Sequence, residues 1–132
     1  MTPKQVLSHI AEIAPMIGIT VNRTEDPYFE WDGEGPDPRD EGYHCYTVDV
    51  MATTIIGGKA IHGANSIAGV YEMPNKHDPD INGYFLDMLI AALMNLKNNI
   101  EGGFDFRSKG FRDITSSVLT SVRFINKARR QG

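Results

Sequence analysis

The chain has 132 residues, 41% of them hydrophobic and 23% charged, with a net charge of −4 and a single cysteine, Cys45. That is enough length and apolar content for one domain with its own core, and it excludes both wholesale disorder and an intrachain disulfide framework. The mild net charge hides a strong segregation. Residues 25–41 hold eight acids (Glu25, Asp26, Glu30, Asp32, Glu34, Asp37, Asp40, Glu41) against Arg39 alone, and residues 107–130 hold seven bases against Asp113. Such asymmetry points to a charged partner, or to two parts of a molecule or of a dimer that face each other.

Residues 3–14 predict an amphipathic helix. Thr2 is placed as its N-cap, with Pro3 at the first helical position and Gln5 at the capping-box position. Val6, Leu7, Ile10, Ile13, Ala14 and Ile17 recur at helical spacing, and Pro15 and Gly18 end the run. The start of the chain carries no apolar core of signal-peptide type, and the longest apolar stretch is too short to span a bilayer. A cytoplasmic protein with no membrane contact is therefore expected, which the lone cysteine also fits. Residues 19–24 alternate as a short strand at a sheet edge.

Pro27, Pro36 and Pro38 make residues 25–42 a long acidic loop without a regular element. Tyr28, Phe29 and Trp31 are too apolar for a free linker, and are expected to pin the loop to the body or to join a binding surface.

Gly57-Gly58 separates two runs of strand character, 43–56 and 59–72, and is a strong hairpin signal because both turn residues can take positive φ. A two-residue turn pairs Ile56 with Lys59, Thr54 with Ile61, Val50 with Asn65, Val48 with Ile67 and Tyr46 with Gly69. Tyr46, Val48, Val50, Ala52, Thr54 and Ile56 then form the core face, and Cys45, Thr47, Asp49, Met51, Thr53 and Ile55 the wetter one. Gly63, Asn65 and Gly69 in the second strand imply a bulge or the close approach of another backbone.

Residues 84–98 predict a helix apolar over most of its circumference, with a polar strip at Asp87, Ala91, Asn95 and Asn98. Such a helix must be buried on two sides, by the sheet and by another helix or a second subunit, so a homodimer through it is expected. Asp113 is placed as the cap of a last helix, 113–128. Phe111, Ile114, Val118, Val122 and Ile125 lie on its apolar side and Arg123, Lys127 and Arg130 on the other. The fold expected is α+β: an antiparallel sheet, built from the hairpin and the short strand, packed against helices 3–14, 84–98 and 113–128 in a single domain.

Four groups of side chains are candidates for function. Asp78, Asp80 and Asn82 before Gly83 match the first half of a calcium loop of EF-hand type, but position twelve is Leu89 in place of a bidentate Glu, so a turn capping the following helix accounts for them as well. His44, Cys45, His62 and His77 lack zinc-ligand spacing. His44 and His62 could meet across the sheet near Asp49 or Glu72, as the centre of a small enzyme or ligand-binding site. Arg107, Lys109, Arg112, Arg123 and Lys127, with Phe104, Phe106 and Phe111 among them, could bind nucleic acid by phosphate contact and stacking, although an acidic pI of about 5.5 disfavours a dedicated binder. The acidic loop, with Tyr28, Phe29, Trp31, Asp32, Glu34, Asp37, Asp40 and Glu41, could occupy a basic site on a partner protein. The last is the leading expectation: a non-enzymatic interaction module that needs no cofactor, of the kind a mobile element carries as an inhibitor or accessory factor.

The order of a helix, two or three antiparallel strands and a long second helix, over roughly residues 2–100, resembles that of double-stranded RNA-binding domains, with the last helix as an addition. That family's functional signature is a lysine cluster opening the second helix. Here the position reads Asn82-Gly83-Tyr84-Phe85-Leu86-Asp87, with no base. The resemblance implies a topology and does not bring RNA binding with it.

Overall fold

A computed structural model describes residues 2–74, 84–103 and 109–131. Three helices and a three-stranded sheet follow in the order α1 (Pro3–Ile13), β1 (Gly18–Glu25), a 3-10 turn (Pro38–Glu41), β2 (His44–Ile56), β3 (Lys59–Glu72), α2 (Tyr84–Gly103) and α3 (Lys109–Gln131). The sheet is antiparallel with strand order β1-β2-β3, so the short strand does form an edge. The architecture is α+β, as expected. Asp78, Asp80 and Asn82, proposed as calcium ligands or caps, lie outside the described residues, as do His77, Phe104, Phe106 and Arg107; so does the side chain of Lys109.

The helix α1 starts with the capping box its sequence spells out. The Gln5 N–H donates to Thr2 Oγ1 at 3.2 Å, and the Thr2 N–H donates to Gln5 Oε1 at 2.8 Å. Its stripe of Val6 and Ile10 is buried.

The hairpin closes on Gly57 and Gly58, with φ of 58° and 77°, as a two-residue turn between Ile56 and Lys59 demands. The six alternate residues from Tyr46 to Ile56 are all buried beneath the helices. The register follows the expected pairs as far as Val48 and Ile67, but Tyr46 lies opposite Val70 and not Gly69. A bulge between Tyr46 and Val48 absorbs one residue, and Gly69 takes φ of 75° to make it. The other glycine signal has a different cause. At Gly63 a Cβ would lie 2.1 Å from the Leu96 N and 2.4 Å from the Ala92 O, because the backbone of α2 rests directly on β3.

In α2, Phe85, Leu86, Met88, Leu89, Ala92, Leu93, Leu96 and Ile100 are buried. Each of these side chains except the small Ala92 contributes about 1.5–3 kcal/mol. One side of the helix packs on β2 and β3, and α3 covers the other, with Ile114, Val118, Ile125 and Ala128 completing the core. The exposed positions among residues 84–100 are Asp87, Asn95, Asn98 and Asn99. The second cover anticipated for α2, another helix or a second subunit, is supplied on this side by α3 of the same chain, and Ile90, Ala91 and Met94 stay partly exposed. The α3 helix begins four residues before Asp113, so Asp113 lies inside the first turns and is not the cap. Phe111 packs against the core. All three helices lie on one side of the sheet. The opposite side, with Thr47, Asp49, Met51, Thr53 and Ile55 from β2, stays at least partly open, and Ile55 is 67% exposed.

Candidate functional site

The loop between β1 and β2 is folded around Arg39. Asp26 prolongs the sheet by donating its N–H to the Cys45 carbonyl at 2.9 Å. After Pro36, Asp37 caps the short turn Pro38–Glu41, which ends at Gly42 with φ of 94°. This turn corrects the expectation that the prolines leave no regular element: Pro38 sits at its first position, where the missing N–H costs nothing. The turn holds the Arg39 guanidinium against three parts of the loop. Nε and Nη2 donate to the Asp37 carboxylate at 3.0 and 2.7 Å, Nη1 donates to the Pro27 carbonyl at 3.0 Å, and Nη2 also donates to the Phe29 carbonyl. This fork of hydrogen bonds holds the Asp37 carboxyl below its ordinary range.

Aromatic contacts fasten the same loop to the hairpin. Trp31 stands edge-on to Tyr71, with ring centroids 5.4 Å apart, and its indole N–H donates to the Gly35 carbonyl at 3.2 Å. Phe29 fills the space beside Gly69, where a Cβ would be 2.7 Å from its ring, so the bulge makes room for the loop. Arg39 lies 5.7 Å from the Tyr71 ring centroid. Under this cover Cys45 is 1% exposed although it starts the wetter face of β2. Beside the Cys45 thiol, the Tyr71 hydroxyl is buried with no oxygen or nitrogen partner among the described residues. Burial, first, and the neighbouring thiol, second, push the Tyr71 phenol up.

The predicted site residues thus divide. Phe29 and Trp31 anchor the loop, and Asp37 is committed to Arg39. Tyr28, at 92% exposure, touches little, and Glu30, Asp32, Glu34, Asp40 and Glu41 of the same loop are exposed as well. Among the described residues, no ion pair links this loop to the basic helix. The Arg39 role was legible only as an exception, one base among eight acids, because its three partners are brought together by the turn.

On the helix side of the same end of the sheet lies a second polar group. Arg23 Nε donates to Glu72 at 3.2 Å, and the Tyr84 hydroxyl donates to the other Glu72 oxygen at 2.8 Å. The His44 Nδ1 lies 2.7 Å from Glu25, and its ring stacks on Tyr46 at 6.3 Å. Burial and then the Glu72 hydrogen bond raise the Tyr84 phenol strongly, and burial followed by Glu25 and Glu72 raises Tyr46. A recess of about 200 Å³ opens beside His44, lined also by Glu25, Arg39 and Cys45. His62 is nowhere near it. The register sets His44 against Glu72 and His62 against Thr53, far along the hairpin, where the His62 ring shares a 2.9 Å hydrogen bond with Thr53. The meeting of the two histidines across the sheet does not occur, because the hairpin turn fixes which residues face each other.

On α3, Arg112, Arg123, Lys127 and Arg130 are exposed, and Arg129 pairs with Asp87 of α2. Phe111, partly buried, packs against the core. Among the described residues no three His, Cys, Asp or Glu side chains converge as metal ligands, and no described helix is long and apolar enough to cross a membrane.

No protein family, curated protein or solved structure matches this chain significantly.

Proposed function

We propose that this protein is a non-enzymatic binding module whose Arg39-centred loop engages a basic surface on a partner protein. One observation carries the reading. Arg39 uses its guanidinium on Asp37 and two backbone carbonyls, so the one base of the loop does not neutralise the other carboxylates. Glu30, Asp32, Glu34, Asp40 and Glu41 are left displayed with the exposed ring of Tyr28 on a loop held by Phe29 and Trp31. A pre-ordered acidic surface loses little entropy on docking and raises the encounter rate with a positive partner. Tyr28 supplies the apolar anchor that such interfaces concentrate their affinity in. A site that normally holds nucleic-acid phosphates is one basic surface of this kind, which suits an inhibitor or accessory factor of a mobile element.

The test is capture of partners from the native host at low and moderate salt, with the wild type beside a variant carrying Asp32→Asn, Glu34→Gln, Asp40→Asn and Glu41→Gln. The partner is expected to be a protein, to bind the wild type in a salt-sensitive manner, and to lose about tenfold or more in affinity for the variant. Full retention by the variant would sink the proposal.

A His/carboxylate centre is the second reading, and it rests on the 2.7 Å His44–Glu25 pair at the recess. The recess, about 200 Å³, is smaller than the roughly 300–1,000 Å³ typical of small-molecule sites, which ranks it second.

A further inference from the structure

The two edges of the sheet are finished differently. On β3, the turn makes Ile56 and Lys59 a hydrogen-bonded pair, and alternation along the antiparallel ladder then aims the carbonyls of His62 and Ala64 at the free edge. Both are taken. Asn95 Nδ2 donates to the Ala64 carbonyl at 2.8 Å, and Asn99 Nδ2 donates to the His62 carbonyl at 2.6 Å. With α2 lying against Gly63 and the bulge near the far end, the middle of the β3 edge is obstructed against further pairing.

Among the described residues, the β1 edge carries none of these devices. Its eight residues pair with β2 without a shift of register, and it holds no proline. The Asp26–Cys45 hydrogen bond sets the phase of the ladder. Counting back from it, Gly18, Thr20, Asn22 and Thr24 bond to β2, whereas the N–H and C=O groups of Ile19, Val21, Arg23 and Glu25 point outward. Among the described elements only β2 contacts β1 extensively. Four of the eight residues, Ile19, Thr20, Val21 and Thr24, are β-branched, which favours a regular extended edge.

We propose that a second copy of this chain pairs antiparallel with β1 and joins two three-stranded sheets into one of six. Two features favour a second copy over a foreign strand. A molecule with one obstructed edge and one open edge stops at two copies, so the amide caps on β3 make the open β1 safe from endless growth. The strand is also self-complementary. With Asn22 on the two-fold axis, Ile19 meets Glu25 of the second copy and Val21 meets Arg23, so every outward backbone group of β1 is satisfied. On the outer face Thr20 meets Thr24 and Asn22 meets Asn22, pairs that hydrogen-bond and bring no like charges together. Arg23 stays on the helix side, bonded to Glu72 of its own chain.

Sedimentation over a wide concentration range is expected to show mass rising from 14.7 kDa to twice that value and no further. In the same samples, amide exchange at Ile19, Val21 and Arg23 should slow by about tenfold or more on concentration, while the β3 edge is unchanged. Val21→Pro removes an outward N–H without touching the ladder to β2, and should stay monomeric. Asn22→Cys places two thiols across the axis at a separation a disulfide accepts, so oxidation should link the chains, whereas Ser66→Cys at the β3 edge should not. Buried Cys45 does not compete. A monomer at every concentration, a mass beyond two chains, a folded Val21→Pro dimer, or equal cross-linking of the two cysteine variants would overturn the proposal. Should Val21→Pro fail to fold, the cysteine pair and the wild-type exchange decide.

Discussion

A methyl group added at Gly63 has nowhere to go, because the atoms it meets, the Leu96 N, the Leu96 Cα and the Ala92 O, belong to a helix backbone that cannot rotate out of the way. Gly63→Ala is therefore expected to cost about 3 kcal/mol, at the upper end of ordinary overpacking. Gly102→Ala, in a helix with nothing within 4 Å, should be neutral or slightly stabilising. Denaturant titration of the two variants checks the contrast. Asp37 makes a different kind of residue-level prediction. Its carboxyl is depressed by the Arg39 hydrogen bonds, so its contribution to loop order is present above the ordinary value of 3.8 and is lost as pH falls through the lower folded value. Trp31 fluorescence should report the loop loosening in that acid range, and Asp37→Asn should show the loosened signal already at neutral pH. The bare sequence shows that Gly63 and Gly69 are unusual in a strand. It does not show that one admits a helix and the other a Phe29 ring, since both neighbours are distant in the chain.

Among the elements, α2 carries the most. Its apolar circumference demanded two covers, and periodicity names them only as a sheet and something else. That the second cover is α3 of the same chain follows from packing, and so does the use of Asn95 and Asn99, four residues apart and thus on one helix face, to cap the β3 edge. At its first turn α2 is tied to both outer strands, as Tyr84 and Arg23 both bind Glu72. The Tyr84 phenol is raised by burial and by Glu72, so its stabilising effect is complete below its ordinary value of 10.0 and is lost as pH rises beyond it. Tyr84→Phe should cost about 1 kcal/mol near neutral pH for the lost hydrogen bond, and should shrink the alkaline loss of stability. Thermal unfolding from neutral pH into the alkaline range, with phenolate absorbance followed alongside, measures both.

Across the whole molecule, charge is sorted onto separate structures: acids on the loop that overlies Tyr71 and Cys45, bases on the exposed face of α3. With no described ion pair joining them, the acidic surface and the basic one act outward, and the salt sensitivity expected of the partner complex is a property of this layout. The hairpin and its turn, the capped first helix, the edge position of β1 and the acidic block were all legible from residue order. Each rests on signals within a few residues: glycines at a turn, a cap three residues from its partner, alternation, and a run of one sign. The bulge opposite Tyr46, the burial of Cys45, the parting of His44 from His62, and the difference between the two sheet edges were not. Those depend on which distant segments meet, and only the packed chain, in which one backbone lies on another, determines that.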